Sequence, residues 1–130
     1  MTKYSEYAHI SKAKYEAMGY KVEEIDGGVP VRIDTEDAVN IIVDQTDKEV
    51  IIIPSTIDGK RINTVTDKSI AMHLQDYEKP RAVIFLGDVD KVEKFLNFTP
   101  NLDKVFLFGD IKNISTSFIG SNVTSVDNNG

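Results

Sequence analysis

The first residues of the chain follow a helical pattern of apolar and polar positions. Apolar side chains recur three and four residues apart over residues 5–18, and lysines and glutamates fill the opposite face. Ser5 or Thr2 can cap the start, and Gly19 stands where a helix commonly ends in a left-handed residue. The pattern predicts one amphipathic helix over residues 5–18.

After Gly19 the apolar residues come in short runs separated by turn signals. Residues 20–33 surround Asp26-Gly27-Gly28, a turn that lets two strands form a β-hairpin. Two further runs, residues 39–43 and 50–53, are rich in β-branched side chains and are separated by the polar stretch 44–48. These runs predict a strand, a turn and a second strand.

The second half of the chain repeats its own pattern. Five apolar positions of residues 83–96 stay apolar after a shift of 22 residues, and Gly87-Asp88 maps onto Gly109-Asp110. The apolar positions are Val83, Phe85, Val89, Val92 and Leu96, followed by Val105, Leu107, Ile111, Ile114 and Phe118. Because so short a unit cannot bury its own apolar residues, the repeat predicts stacked units that share one core.

The repeat extends in both directions from this pair of units. Leu102-x-x-Val105 recurs 21 residues later as Val123-x-x-Val126. Residues 51–70 form a longer version of the unit, in which the extra residues surround Ile57-Asp58-Gly59. Insertions of this kind usually lie in the loops of a repeat protein.

The longer unit resembles the opening unit of BspA-type leucine-rich repeats. That family has an isoleucine-proline step, an apolar residue, an Asp-Gly-Lys-like turn and two apolar residues three apart, and usually a phenylalanine further on. The matching residues are Ile53-Pro54, Ile57, Asp58-Gly59-Lys60, Ile62 and Val65, with Ile70, Leu96 and Phe118 at the phenylalanine position. The resemblance covers residues 39 to 127 and implies a non-catalytic module that binds another protein.

Together these patterns predict a fold that is α+β and mainly β. We expect a short leucine-rich-repeat solenoid of about three coils, preceded by an N-terminal helix and a β-hairpin. Residues 1–38 would form a cap and residues 39–130 the repeats, within a single compact domain.

The predicted strand ribbon carries a candidate binding surface. Neighbouring residues of a strand point to opposite faces of the sheet. If the apolar positions around them face the core, an outward stripe of five residues remains: Ile52, Ile84, Leu86, Phe106 and Phe108. An exposed apolar stripe usually marks an interface, so we predict that a protein partner binds there. Two alternatives stay open: the N-terminal helix or hairpin covers the stripe, or two copies pair as a homodimer through their ribbons or through the end after Val126.

The charge of the chain narrows the classes of partner. A net charge of -6 opposes nonspecific binding to nucleic acid or to anionic lipid, so we expect neither direct nucleic-acid binding nor membrane insertion. The same charge fits a second hypothesis, a small acidic inhibitor of the phage or mobile-element type that blocks a nucleic-acid-binding target. Residues 1–10 contain no apolar run of signal-peptide length, which predicts a cytoplasmic protein, or a bacterial surface or secreted one if an export signal has been removed.

Catalytic and metal-binding patterns are weak in this sequence. There is no cysteine, and neither His9 nor His73 has a second ligand at zinc spacing. Gly59-Lys60 has Pro54 where a phosphate loop requires glycine. We therefore predict no enzyme activity, no cofactor and no metal. Acidic groups within residues 23–26, 34–37 and 88–90 are interpreted as solvated turn residues, and the sequons at Asn97, Asn113 and Asn122 as incidental.

Overall fold

The computed structural model describes residues 4–25, 37–43, 48–67, 78–97, 99–118, 122–123 and 125–128. It confirms an α+β chain that consists mainly of strands. A 3₁₀ helix at Ser5–Tyr7 precedes the helix α1 at Lys12–Ala17. The strands are β1 His9–Ile10, β2 Lys21–Ile25, β3 Ala38–Val43, β4 Val50–Ile53, β5 Thr56–Ile57, β6 Lys60–Asp67, β7 Ala82–Phe85, β8 Val89–Glu93, β9 Lys104–Leu107, β10 Ile111–Ser115 and β11 Ser125–Asn128.

The prediction of one continuous helix over residues 5–18 is wrong in its first half. His9 and Ile10 instead form β1, which pairs in parallel with β5. Ser11 has an extended backbone, and its hydroxyl accepts a hydrogen bond from the Lys14 amide at 3.2 Å, so it caps α1. Sheet pairing and this cap override the helical pattern. Gly19 follows the helix end with φ +102°, as the sequence indicated.

The predicted hairpin is only partly visible. Its turn at Asp26-Gly27-Gly28 and its second half up to Ile33 lie outside the described residues. The antiparallel partner of β2 that the structure describes is β3, with Lys21 opposite Ile42 and Ile25 opposite Ala38. The strand predicted at residues 39–43 is therefore present, and it borders β2.

One sheet has four parallel strands, in the order β11-β9-β7-β4. We call it the four-stranded sheet. Val83 pairs with Val105, and Val105 pairs with Val126. Residues that the sequence repeat places 22 or 21 positions apart are therefore hydrogen-bonded neighbours on adjacent strands of this sheet.

The second sheet has seven strands, and β6, β8 and β10 run parallel within it. Val92 lies between Val65 and Ile114, and Val89 lies between Ile62 and Ile111. From β6 to β11 the strands alternate between the two sheets, so each 22-residue unit contributes one strand to each sheet. On the other side of β6 the seven-stranded sheet continues with β3 and ends at β2.

The main apolar cluster includes side chains from both sheets. Ile51, Ile53, Val83 and Phe85 on the four-stranded sheet belong to the same cluster as the inward residues of β6 and β8. Three aromatic rings extend through it, with centroid distances of 6.3 Å from Phe85 to Phe95 and 6.0 Å from Phe95 to Phe118. The N-terminal residues Ile10, Tyr15, Tyr20 and Val22 belong to the same cluster. Burial of these apolar side chains is the main stabilising contribution to the fold.

The turns after β7 and β9 stack closely on one another. A Cβ added to Gly109 would lie 2.4 Å from the carbonyl carbon of Gly87, and one added to Gly87 would lie 2.3 Å from the Ser55 hydroxyl oxygen. The Asp110 amide donates to a carboxylate oxygen of Asp88 at 2.9 Å. The aligned Gly-Asp pairs of the sequence therefore form one column, in which only glycine leaves room for the next turn.

The repeat also includes unusual backbone conformations. Lys94 and Thr116 have φ of 50° and 43°, and Leu96 and Phe118 have φ of 50° and 63°. Each pair is separated by 22 residues. The Phe118 amide donates to the carbonyl of Phe95 at 2.8 Å, which links the second of these turns to the first. Non-glycine residues rarely adopt positive φ, so its recurrence marks a shared turn geometry.

Candidate binding surface

The four-stranded sheet has an inner face on the core and an outer face. Ile51 and Ile53 on β4, with Val83 and Phe85 on β7, belong to the core cluster. The residues that alternate with them lie on the outer face. Cross-strand neighbours on this face are Ile52, Ile84 and Phe106. Leu86 lies two residues after Ile84, and Phe108 lies two residues after Phe106.

Exposure differs sharply among these five predicted site residues. Ile52 and Ile84 are only 6% and 5% exposed, so the expectation of an exposed stripe is wrong for both. Leu86, Phe106 and Phe108 are half-buried. The strand β4 is in contact with the N-terminal segment through Tyr15, whereas β9 is separated from β4 by β7. We call Leu86, Phe106 and Phe108 the aromatic patch.

A charged residue lies beside the aromatic patch. Lys104 is exposed on β9, two residues before Phe106, and therefore on the same face. An apolar centre with charged residues at its edge is the usual arrangement of a protein interface.

The edge of β4 is closed by two tyrosines. The Tyr15 hydroxyl donates to the carbonyl oxygen of Ile52, and the Ile52 amide donates to the Tyr20 hydroxyl oxygen at 2.9 Å. The two rings stack with 4.1 Å between centroids and 3° between planes. Both backbone groups of Ile52 that point away from β7 are thus bonded, so the tyrosines replace a neighbouring strand.

These tyrosines should make stability fall in alkaline solution. Burial raises the pKa of Tyr20 to about 12, and burial and the nearby Tyr20 raise the pKa of Tyr15 well above its ordinary value. An unfolded tyrosine loses its proton at a pKa of about 10. Between these values the unfolded chain holds fewer protons than the folded chain, so the free energy of unfolding decreases as pH rises from about 10 to about 12.

Chemical denaturation at a series of pH values will measure this slope. The Tyr20→Phe variant provides the control, because it removes the hydroxyl and keeps the ring. We expect a shallower decrease in the variant than in the original chain. An identical slope in both proteins would assign the alkaline effect to other groups, such as the lysines.

A row of charges crosses the outer surface of the seven-stranded sheet. The Asp90 carboxylate lies between the Arg61 guanidinium and the Lys112 ammonium, which is 3.6 Å away. Lys91 and Glu93 form a second ion pair at 2.7 Å, and Lys91 holds the pKa of Glu93 below its ordinary value. Because positively and negatively charged side chains alternate on this face of the sheet, it does not present a continuous acidic surface.

The remaining sequence candidates are dispersed. The His9 ring nitrogen lies 2.9 Å from the Thr56 hydroxyl, and Glu24 forms an ion pair with Lys60 at 2.9 Å, which lowers the pKa of Glu24. His73, Ile70 and residues 34–36 lie outside the described residues. Asn97 is buried, and Asn113 and Asn122 are exposed.

The described residues contain neither a group of metal ligands nor a membrane-spanning helix. Within the described ranges, no three histidine, aspartate or glutamate side chains group as metal ligands would. The helices in those ranges are too short and too polar to cross a bilayer. Comparison with known proteins finds no matching family model, no similar curated protein and no similar solved structure.

Proposed function

We propose that this chain is a leucine-rich-repeat module of the BspA type that binds a protein partner through the aromatic patch. The architecture that supports the repeat assignment is the alternation of strands between two sheets from β6 to β11, with equivalent residues 22 or 21 positions apart. Units that share a core in this way leave one face of a strand ribbon available for binding.

The observation that carries the binding role is the partial exposure of Phe106 and Phe108. Phe106 lies on β9 as the register partner of Ile84 on β7, and Phe108 directly follows the last residue of β9. Aromatic side chains supply a large contact area at little conformational cost, and they are enriched among residues that dominate binding energy. A rigid sheet presents them without prior ordering, which favours affinity.

Four side chains of the described residues with a shifted pKa have structural partners. Tyr15 and Tyr20 bond the backbone of Ile52, while Glu24 and Glu93 pair with lysines. A catalytic acid or base needs a proton that is available to a substrate. We therefore assign binding to the chain and no reaction.

Photo-crosslinking will test where a partner binds. The benzophenone amino acid p-benzoylphenylalanine replaces Phe106 in one protein and Lys112, on the other sheet, in a second. Both proteins are irradiated in extract of the source cells, and the adducts are identified by mass spectrometry. We expect a specific adduct from position 106 that is missing from position 112; the same set of proteins from both positions would contradict the proposal.

The Kd between this chain and the identified partner will then test how much the aromatic patch contributes to binding. Phe106→Ala should raise the Kd about 30-fold, as for a central interface residue, whereas Lys91→Ala on the other sheet should leave it unchanged. Substitution of Ile84 is avoided because that residue is buried. If Phe106→Ala has no effect and the affinity instead falls steeply with salt, the acidic-inhibitor hypothesis is favoured.

A further inference from the structure

The loop between β5 and β6 consists of two residues, Asp58 and Gly59. Ile57 and Lys60 are register partners across it, and both loop residues have positive φ, 51° for Asp58 and 77° for Gly59. Two positive φ values in a two-residue hairpin loop define a type I′ turn, in which Asp-Gly is a preferred pair. Both residues are exposed, so solvent reaches this turn.

Gly59 leaves the peptide bond that follows Asp58 accessible. It has no Cβ, and a Cβ built there would have no atom within 4 Å apart from its chain neighbours. Within the described ranges the Gly59 amide donates no hydrogen bond, so no acceptor withholds its nitrogen from the Asp58 carboxyl group. A side chain on the following residue would screen this nitrogen, and glycine provides none.

Other aspartates of the described residues lack this combination. Asp88 is followed by Val89, which is β-branched and fully buried, and the Val89 amide donates to the Asp110 carbonyl at 2.9 Å. Asp90 lies within β8 and is followed by a lysine. In the part of the chain that the structure describes, Asp58 is the one aspartate that glycine follows.

We propose that Asp58 is a site of spontaneous isomerisation to isoaspartate. The nitrogen reaches Cγ by rotation about the Cα–C bond of Asp58, which the open surroundings of Gly59 permit. The Gly59 nitrogen attacks Cγ of the carboxyl group in its acid form and closes a succinimide ring through a new C–N bond. The carboxyl hydroxyl and the amide proton leave together as water. One water molecule then opens the ring: cleavage at the backbone carbonyl gives isoaspartate, and cleavage at Cγ restores aspartate.

Isomerisation changes the length of the loop. The main chain then passes through Cβ and Cγ of residue 58, which adds one carbon to the connection between Ile57 and Lys60. A type I′ turn requires two standard residues at this point, so the pairing of β5 with β6 should loosen. The strand β1 pairs with β5, and the Asp58 amide donates to the Ile10 carbonyl at 3.0 Å, so the effect reaches the N-terminal segment.

This modification site is independent of the proposed function. The strands β5 and β6 belong to the seven-stranded sheet, whereas Phe106 of the aromatic patch lies on the four-stranded sheet. Partner binding can therefore fail while isomerisation occurs, and the reverse also holds.

Incubation of the folded chain in water enriched in heavy oxygen will test the site. Each ring opening places one heavy oxygen in residue 58, and trypsin then releases residues 49–60, in which Asp58 is the one aspartate. We expect this peptide to gain the label and to separate into two chromatographic forms of equal mass. The peptide of residues 82–91, which contains Asp88 and Asp90, is the internal control and should stay unlabelled.

The chain unfolded in urea sets the duration of this incubation, because its Asp58 reacts without the constraint of the fold. The incubation ends when residues 49–60 of the unfolded chain are labelled. A folded chain that is still unlabelled there at that time would overturn the proposal, since the turn would then protect Asp58.

Two variants separate the contributions of the pair. Asp58→Asn keeps a preferred turn sequence, and the same attack then releases ammonia, so the folded variant should convert residue 58 to aspartate and isoaspartate. If that residue stays unconverted, the turn does not reach the cyclic geometry and the proposal is wrong. Gly59→Ala places a methyl group beside the attacking nitrogen and should lose most of the label, with circular dichroism as the check of folding. Undiminished labelling of Gly59→Ala would overturn the role of Gly59.

Hydrogen exchange will test the structural consequence. We expect the isomerised chain to exchange the amides of residues 9–10 and 56–58 faster than the original chain, because a loosened β5 opens locally more often. Unchanged exchange in these residues would overturn the predicted loosening of β5.

Discussion

Substitution of Gly109 by alanine is expected to lower the free energy of unfolding by about 3 kcal/mol. The added Cβ would lie 2.4 Å from the carbonyl carbon of Gly87 and 2.6 Å from the amide nitrogen of Asp88. Both contacts are with backbone, so no side-chain rotation can relieve them, and the two stacked turns must move apart. Such a cost is a large share of the roughly 5–15 kcal/mol that stabilises a typical domain. Urea denaturation followed by circular dichroism measures the change.

Gly87→Ala provides an informative comparison, because two of its close contacts are with the side chain of Ser55. The distances are 2.3 Å to the hydroxyl oxygen and 2.5 Å to Cβ. We expect Gly87→Ala to destabilise the chain less when Ser55→Gly is also present, and we expect no comparable rescue of Gly109→Ala. Equal stability of the original chain and Gly109→Ala would show that the turns are not stacked as described.

Removal of the Tyr15 hydroxyl is expected to lower the free energy of unfolding by about 2 kcal/mol, the usual cost of leaving a buried polar group without its bond. In Tyr15→Phe the ring still stacks on Tyr20, but the carbonyl oxygen of Ile52 loses the hydroxyl that donates to it. Tyr20→Phe leaves the Ile52 amide without its acceptor and should have a similar cost. Thermal and urea unfolding of both variants will measure these values.

Tyr7→Phe is the matched control for the tyrosine substitutions. Tyr7 is half-buried beside the same core, and its variant loses one hydroxyl, as the others do. We expect a change within about 0.5 kcal/mol, as for most surface substitutions. If all three variants lose the same stability, the effect does not come from closing the edge of β4. The double variant Tyr15→Phe with Tyr20→Phe should be non-additive, because both hydroxyls bond one residue.

The sequence alone predicted the strand pairing of the repeat. Val83, Val105 and Val126 stand at equal places in successive units, and the ladder pairs them in that order. The physical reason is local, since side chains that alternate along a strand and recur with the unit length can be buried together only if the units stack in register. The Gly87 and Gly109 column follows from the same alignment.

Only the tertiary structure determined how the β4 edge of the repeat is closed and which residues of the candidate surface are exposed. Nothing in the local pattern around Tyr15 shows that its hydroxyl reaches Ile52, because the two residues are 37 positions apart. The same holds for β1, which forms where a helical pattern continues, because pairing with β5 supplies bonds that the pattern does not represent. Burial of Ile52 and Ile84 likewise depends on how distant segments pack around them, whereas the alternation along a strand determines only the face on which a residue lies.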